Sequence, residues 1–291
     1  MSAFSLPAWI KPHLFTDKKF SDLSLQELDD LKTRVANFKH PSPDVSVVIP
    51  AWNEENNIFR SISSLASSKT NLKVEIVVIN NNSTDNTQKV LEELGVINYF
   101  QPVQGIAPAR SVGLNHAKGK FHLCADSDTF YPPGWIDLMV KPMMDNSTIV
   151  GVYGRYSFVP PPGDSGMMLW IYEKITGVLI RIRKKRMEFI NVLGFNMGFV
   201  TKVGRDNGGF VVDAVRKFDN ALGSDSFVDE SEDGRMAQNL KKTGHLKLVT
   251  DNKARVFTSS RRLISEGGIW QSFKSRIKLH AGRSVEYMLG K

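Results

Sequence analysis

Two aspartates separated by one residue follow an apolar run near the middle of the chain. Asp126 and Asp128 flank Ser127, directly after residues 121–125. Carboxylate oxygens are ligands that Mg²⁺ and Mn²⁺ prefer, and both ions readily share their coordination shell with phosphate oxygens. A D-x-D turn after a buried strand therefore predicts a divalent cation that neutralises charge on a departing nucleotide. The alternative is a solvated acidic turn.

Two further polar segments occupy residues 50–55 and 80–85. Backbone groups of the first, with the side chains of Asn53 and Glu54, are candidates for holding a nucleoside. Amides and carboxylates of the second, which begins at Asn80, can hydrogen-bond the edge of a base. The alternative for the first segment is helix capping by Asn53, with acids in the first turn. The alternative for the second is a cap-and-turn role.

Charged residues of two helices are also candidates. Arg110 lies in an early turn of the helix that follows Gly105, where it can pair with a phosphate or a base; the alternative is an exposed helix arginine. The acidic run 229–233 precedes another helix. Acids stabilise a helix N-terminus, but one of these acids can instead be a general base if it reaches an acceptor hydroxyl.

Strands that alternate with helices must position these residues. Short apolar runs predict strands over 45–49 (closed by Pro50), 74–79 and 121–125, and helical spacing predicts helices after Asn53, through 90–94 and over about 107–117. Such alternation is typical of parallel βαβ units in an open sheet covered on both faces. Ligands bind beyond the carboxyl ends of such strands, where the polar segments lie.

The flanking segments carry less regular patterns. In residues 1–44, Ser24 and Glu27 form a capping box before an amphipathic helix that ends ahead of Pro41. We expect this helix to pack on the main domain; the alternative is a helix that binds a partner. Beyond about residue 150 the alternation of strands and helices weakens.

Composition limits the class of protein. The 291 residues are 41% hydrophobic with a net charge of +8, which favours polyanionic neighbours: nucleic acid, anionic lipid or nucleotide diphosphates. Cys124 is the only cysteine, so we expect no internal disulfide and a buried thiol. The N-terminus lacks signal-peptide features, and no apolar run reaches roughly 18 residues. These absences predict a cytoplasmic protein without a transmembrane helix.

Residues 167–186 combine apolar and aromatic residues with a basic end. This composition suits a helix lying on an anionic bilayer, which predicts a peripheral location on the inner face of the cell membrane. The apolar part is too short and too charged to span a bilayer. The alternatives are a buried helix followed by a solvated basic turn, and a patch that binds nucleic acid.

Six segments resemble, in this order, the successive motifs of family 2 glycosyltransferases with the GT-A fold. They read PAWNEE, VINNNSTDNT, GIAPARSVGLN, ADSD, GFNMGF and SEDGRM, and the resemblance covers roughly residues 45–245. It implies an α/β fold: an open, mostly parallel twisted sheet flanked by helices, after a helical extension over 1–44. Residues 45–130 would then be the nucleotide-binding half and 131–250 the acceptor half, with 251–291 packing on them.

The resemblance also implies an activity. Members with these motifs invert configuration as they transfer a sugar from a nucleotide-sugar donor, here a UDP-sugar, to an acceptor hydroxyl with the help of Mn²⁺ or Mg²⁺. The implied acceptor is a carbohydrate or a lipid-linked glycan, in the synthesis of cell-surface or extracellular polysaccharide or glycolipid.

Site residues are carried over by position. The resemblance assigns nucleotide binding to Pro50, Ala51, Asn53, Glu54, Asn80, Arg110 and Asp126, and metal binding to Asp128 with Asp126. It assigns the catalytic base to Asp233, and the loop around donor sugar and acceptor to Asn196 and Met197, with Glu232 beside them.

This chain departs from the family pattern at two places. Asn80 replaces the more frequent aspartate, and its amide oxygen can still accept a hydrogen bond from a uracil N–H. Residues 257–262 lack the histidine that completes the metal shell in many relatives; His245 and His280 are candidate substitutes, and Arg261 and Arg262 are candidates for holding the diphosphate.

Three other classes of protein share some of these features. A nucleotidyltransferase on a related sheet also uses two acids and Mg²⁺, but it needs a glycine-rich, lysine-containing first loop. A dinucleotide-binding module needs G-x-G-x-x-G after the first strand. Neither pattern occurs in residues 50–55. A nucleic-acid binder is suggested only by the charge, and the acidic segments at the strand ends argue against it.

Overall fold

A computed structural model describes residues 6–15, 18–161, 163–164, 166–183, 187–211, 231–261 and 263. The strands are β1 (Val45–Ala51), β2 (Val74–Asn80), β3 (Ile97–Phe100), β4 (Phe121–Cys124), β5 (Thr129–Phe130), β6 (Ile149–Gly154), β7 (Tyr156–Val159), β8 (Met197–Val200), β9 (His245–Val249) and β10 (Val256–Ser259). The helices are α1 (Leu25–Ala36), α2 (Ile58–Leu65), α3 (Thr87–Leu94), α4 (Ile106–His116), α5 (Trp135–Asp145), α6 (Met167–Arg183), α7 (Thr201–Asp206) and α8 (Glu232–Lys241).

The central sheet has the strand order β3-β2-β1-β4-β8-β6-β9. The first four of these strands are parallel, β8 is antiparallel to both of its neighbours, and β6 and β9 are parallel. A smaller sheet has the order β5-β10-β7. The predicted α/β class, with a mostly parallel sheet flanked by helices, is confirmed.

Burial on both faces explains the sequence of the central strands. Every residue of β1 and β2 is buried, as expected where helices cover both sides of a sheet. Helix α4 packs on one face against Val48, Val77 and Ile79. Helices α1, α2, α3 and α5 contribute to the larger core on the other face. This two-sided cover holds the carboxyl ends of β1, β2 and β4 at one edge.

The ends of β1, β2 and β4 differ from the predictions by one or two residues, and the largest difference is in β1. Strand β1 runs through Pro50 to Ala51 instead of ending at residue 49. Its pairing with β4 stops at Val48, whereas its pairing with β2 continues to Ala51, so Pro50 lies where the strand has one neighbour and a missing N–H is tolerated. Strand β3 was not predicted; it is a four-residue edge strand without fully buried side chains.

The N-terminal helix has the predicted cap. The Glu27 N–H donates to Ser24 Oγ at 3.2 Å, and the Ser24 N–H donates to a Glu27 carboxylate oxygen at 2.8 Å. Leu31 and Val35 point into the core of the main sheet. The helix therefore packs on the rest of the fold, as its apolar spacing indicated.

The structure also bears on the predictions for Cys124 and for membrane-spanning helices. The Cys124 thiol is buried, as expected, and burial raises its pKa to about 12. Within the described residues, no helix is long and apolar enough to cross a membrane. Residues 184–186 and 229–230, together with Arg262 and His280, lie outside the described residues.

We predict that Leu31→Ala lowers the free energy of unfolding by about 2–5 kcal/mol, because it leaves a cavity where α1 meets the core. Leu25→Ala, in the same helix but 87% exposed, is the control and should change it by less than about 0.5 kcal/mol. Urea unfolding measures both. Equal midpoints for the two variants would show that α1 contributes nothing to the stability of the domain.

Candidate active site

The loops after β1 and β2 are bound to each other at the carboxyl edge of the sheet. The Asn53 Oδ1 atom accepts the Thr84 N–H at 2.8 Å, and the Asn53 N–H donates to Ser83 Oγ at 3.0 Å. Asn53 adopts a left-handed backbone with φ of 52°, which asparagine tolerates better than most residues. The prediction that Asn53 caps α2 is wrong, because the helix begins only at Ile58 and the amide of Asn53 holds the neighbouring loop instead.

Asn80 is buried within the second of these loops. Its Oδ1 atom accepts the Ser83 N–H at 3.0 Å, and its Nδ2 atom donates to Gln88 Oε1 at 2.8 Å. Both polar ends of the amide therefore stabilise the turn and the start of α3. These contacts match the cap-and-turn alternative, and any contact with a base stays a prediction.

Arg110 is buried at the centre of a charged cluster. It is 4% exposed, whereas the alternative from the sequence placed it on an exposed helix surface. One guanidinium nitrogen donates to Asp126 Oδ1 at 3.0 Å and the other donates to the Gly194 carbonyl at 3.1 Å. Its Nε atom lies 3.5 Å from Asp233 Oδ1 and 3.7 Å from Glu232 Oε1. We call these residues the Arg110 cluster.

The carboxylates keep this buried guanidinium charged. Burial opposes the charged form of Arg110, but Asp233 and Asp126 outweigh that effect, so the pKa of Arg110 is raised above its ordinary value. A buried cation with several carboxylates around it is compensated, whereas loss of one partner would leave it uncompensated. The cluster therefore fixes the D-x-D turn relative to α8.

Asp233 lies in the first turn of α8, whose N-cap Ser231 accepts the Gly234 N–H at 3.1 Å. Its Oδ2 atom accepts the Gly194 N–H at 2.7 Å. Burial raises the pKa of Asp233 to about 7, with Glu232 and Asp126 adding to the effect and Arg110 opposing it. A carboxylate whose pKa lies near neutrality is suited to general-base catalysis.

Backbone contacts of Asp126 hold the D-x-D turn. The Asp126 N–H donates to the Tyr131 hydroxyl oxygen at 2.8 Å, and that hydroxyl donates to the Phe195 carbonyl at 3.0 Å. The Ser61 hydroxyl donates to the Asp126 carbonyl at 2.9 Å. The role of Tyr131 was not predicted, because a tyrosine just after a strand is typical of a residue in the core.

Asp128 faces a different arginine. Arg261 donates from one guanidinium nitrogen to Asp128 Oδ2 at 3.0 Å and to Glu54 Oε1 at 2.6 Å. The Nδ2 atom of Asn57 donates to the other oxygen of Glu54 at 2.7 Å. The sequence assigned Glu54 to the nucleoside and did not connect it with Asp128 or Arg261.

These contacts bear on the predicted metal site. Asp126 and Asp128 are each bound by a different arginine, and among the described residues no group of three or more His, Cys, Asp or Glu side chains is arranged to hold an ion. Glu54 and Asp128 do present two oxygens to one cationic nitrogen. That donor set fits Mg²⁺ or Mn²⁺, which are often held by one or two carboxylates with phosphate oxygens completing the shell.

His245 does not lie near these carboxylates. It begins β9, where its N–H donates to the Thr148 carbonyl, at the amino end of the parallel pair β6 and β9. The D-x-D turn follows the carboxyl end of β4, and β4 and β6 run the same way because each is antiparallel to β8. The two positions lie at opposite ends of the strands, so the prediction of His245 as a metal ligand is wrong.

Asn196 and Met197 are buried where the loop before β8 meets the core. Asn196 is buried; its Oδ1 atom accepts the Trp135 Nε1–H at 2.9 Å and its Nδ2 atom donates to the Arg155 carbonyl at 2.8 Å. Met197 is buried in the core and pairs with Cys124. Within this motif, Gly194 is the residue that contacts the Arg110 cluster directly.

Comparison with known families identifies the family of this chain. Residues 46–204, more than half of the chain, match Glycosyl transferase family 2. The chain belongs to this family.

Individual relatives match shorter regions. Chondroitin synthase from Pasteurella multocida is 34% identical over 43% of this chain, and UDP-Glc:alpha-D-GlcNAc-diphosphoundecaprenol beta-1,3-glucosyltransferase WfgD from Escherichia coli is 33% identical over 40%. These matches span only 13% and 46% of the two proteins. Among solved structures, the mannosyltransferase PcManGT from Pyrobaculum calidifontis, in complex with GDP-Man and Mn²⁺, aligns over 93% of this chain and 74% of its own, with a TM-score of 0.52 at 18% identity. That likeness concerns the fold alone.

We predict that Gly194→Ala destabilises the protein by about 1–3 kcal/mol, because an added Cβ would overlap the Arg110 guanidinium and the Asp233 carboxylate. Gly177→Ala is the control: a Cβ there meets no atom within 4 Å, and alanine favours the helix by up to about 1 kcal/mol. Thermal unfolding of both variants tests this prediction. A Gly194→Ala protein as stable as wild type would mean that the cluster is loosely packed.

Proposed function

We propose that this protein is an inverting glycosyltransferase that transfers a sugar from a UDP-sugar to an acceptor hydroxyl. The observation that carries the proposal is the Arg110 cluster, which joins the D-x-D turn to a buried carboxylate, Asp233, whose pKa is raised to about 7. Asp126, assigned to the donor, and Asp233, assigned as the base, thereby contact the same buried guanidinium of Arg110. Membership of Glycosyl transferase family 2 supports the same reaction.

Asp233 is the proposed catalytic base. Its Oδ2 atom accepts the Gly194 N–H, and its Oδ1 atom lies 3.5 Å from Arg110 Nε. As the acceptor oxygen attacks the anomeric carbon from the face opposite the nucleotide, Asp233 takes the hydroxyl proton, and the bond to the diphosphate breaks with its electron pair on the phosphate oxygen. One such displacement inverts the anomeric configuration.

The nucleotide is assigned to the loops after β1, β2 and β4. The proposed contacts are Pro50, Ala51, Asn53, Glu54, Asn80, Arg110 and Asp126, with Asn196, Met197 and Glu232 placing the loop beside the sugar. A divalent cation held by Asp128, together with Asp126 or Glu54, would supply positive charge to the departing diphosphate. The Mn²⁺ in the PcManGT complex supports an ion in this fold.

Two relatives support the proposed classes of donor and acceptor. WfgD is named for UDP-Glc as donor and a GlcNAc-diphosphoundecaprenol acceptor, and the Pasteurella protein is named for chondroitin. We infer a UDP-sugar donor and a carbohydrate or lipid-linked acceptor, in cell-surface or extracellular polysaccharide or glycolipid synthesis. We also propose the division into residues 1–44, 45–250 and 251–291.

Helix α6 is the proposed membrane contact. One stripe of the helix is exposed and combines apolar with basic side chains: Met167, Trp170, Lys174, Val178 and Arg181. Leu169 and Tyr172, on another face, are buried against the domain. Apolar and aromatic groups flanked by cations suit the interface of an anionic bilayer. The protein would then lie on the inner face of the cell membrane, near a lipid-linked acceptor.

We predict that Asp233→Asn lowers the rate of sugar transfer at least about 10²-fold while UDP affinity changes little, because a base lowers the barrier without holding the donor. The wild-type rate should rise with pH and level off above about 7, as Asp233 loses its proton, and the residual rate of the variant should lack this rise. Rates come from released UDP and affinities from calorimetry with Mn²⁺.

The control for Asp233→Asn is Asp206→Asn, which removes an exposed carboxylate from α7 and should leave the rate and its pH profile unchanged. If Asp233→Asn transfers sugar at nearly the wild-type rate, Asp233 only stabilises the N-terminus of α8, and the proposed mechanism is wrong.

We predict that wild-type protein co-sediments with anionic vesicles at low salt and is released at high salt, since screening weakens the contacts of exposed Lys174 and Arg181. Replacing Met167, Trp170 and Val178 by Ser should abolish pelleting and leave hydrolysis of the sugar nucleotide intact. Val103→Ser, at an exposed apolar site elsewhere, is the control. Wild type that stays in the supernatant at low salt would favour a soluble acceptor.

A further inference from the structure

The side chain of Arg261 lies between the two carboxylates of the Glu54–Asp128 pair. A single guanidinium nitrogen donates to Glu54 Oε1 at 2.6 Å and to Asp128 Oδ2 at 3.0 Å. Two carboxylate oxygens that reach one nitrogen converge on one point. That point carries a positive charge from the protein itself, at the position where the donor set also suits a divalent ion.

Backbone pairing places Arg261 at this position. The Ser259 N–H donates to the Asp128 carbonyl at 3.1 Å, and β10 pairs with β5 through Thr258 and Thr129. The Arg261 N–H donates to Ser259 Oγ at 3.2 Å. The start of the arginine side chain is thus fixed relative to the D-x-D turn by the small sheet.

The end of the side chain is free to leave. Arg261 is 50% exposed, whereas Glu54 and Asp128 are 13% and 18% exposed. An ion pair with a half-exposed arginine contributes little net free energy, because water replaces its hydrogen bonds at small cost. Two contacts do not depend on the Arg261 side chain: Asn57 donates to the Glu54 carboxylate, and the backbone of β10 holds the main chain of Asp128.

Electrostatics makes the two cations mutually exclusive. A divalent ion coordinated by Glu54 and Asp128 would lie within a few ångströms of the guanidinium, where like charges repel strongly in a partly desolvated site. The Glu54 and Asp128 oxygens converge on one point, so the pair can hold one cation there and not two.

We propose that Arg261 and a divalent cation compete for the Glu54–Asp128 pair, so that Arg261 is the resident cation of the nucleotide-free protein and is displaced when the metal binds. This inference rests on the proposed function for the presence of the metal, and it deepens that function by assigning Glu54 as the second carboxylate of the cation site. It makes the ion weakly held until a diphosphate adds its own oxygens.

The test is a titration of nucleotide-free protein with Mn²⁺. The electron paramagnetic resonance signal of the free ion measures how much Mn²⁺ remains unbound. Arg261→Gln should bind Mn²⁺ about tenfold more tightly than wild type, equivalent to about 1.4 kcal/mol. Arg261→Lys keeps the charge but not the planar fork, and its affinity should lie between the two. Lys253→Gln removes an exposed positive charge from the same segment and should leave the affinity unchanged.

A second substitution tests whether the tighter Mn²⁺ binding of Arg261→Gln occurs at the Glu54–Asp128 pair. Glu54→Gln added to Arg261→Gln should abolish the tighter binding, because it removes one of the two carboxylates. Equal or weaker Mn²⁺ binding by Arg261→Gln would overturn the competition, and so would a gain that survives Glu54→Gln.

Calorimetry with UDP on the same samples separates this proposal from the proposed function. Wild-type protein that binds UDP while Arg261→Gln gains no affinity for Mn²⁺ would leave the glycosyltransferase assignment standing and overturn the competition alone. Failure of wild type to bind UDP with Mn²⁺ present would count against the proposed function, whatever the Mn²⁺ affinities of the variants.

Discussion

The burial of the Arg110 guanidinium is the constraint on which the rest of the site depends. An isolated charge cannot be removed from water without compensation, so the fold must bring carboxylates to Arg110 from elsewhere in the chain. Asp126 comes from the end of β4 and Asp233 from the start of α8, while the carbonyl of Gly194 comes from the loop before β8. One helical side chain thereby sets the spacing of three segments that are distant in sequence.

The same constraint tunes the chemistry. Asp233 is buried next to other acids, which favours its neutral form, and Arg110 offsets only part of that effect. A carboxylate in this balance binds its proton with intermediate strength, unlike an exposed aspartate that stays ionised above about pH 4. The absence of a side chain at Gly194 lets its backbone approach both charges and hold the acid by its N–H. Packing and proton affinity are therefore set by the same contacts.

Much of the first half of the fold could be predicted from sequence because β1 and β2 are buried on both faces and read as continuous apolar runs. The candidate residues of the site were predicted at the carboxyl ends of the parallel strands for the same reason. The capping role of Asn53 was wrong because a tertiary contact overrides the local preference, and Asn53 holds a neighbouring loop instead of a helix. His245 was misplaced because the sequence does not reveal at which end of the sheet β9 begins.

The D-x-D turn therefore has two counterions of different character. Arg110 is enclosed and bound to several groups, so it remains with Asp126 whatever binds nearby. Arg261 is half exposed and reaches Asp128 from the end of β10, so a stronger cation can take its place. The sequence shows only two arginines and two aspartates; their exposure decides which pair is permanent. In this proposal, the enclosed Arg110 preserves the geometry next to the proposed base Asp233, while the exchangeable Arg261 leaves Asp128 available to a ligand that brings its own charge.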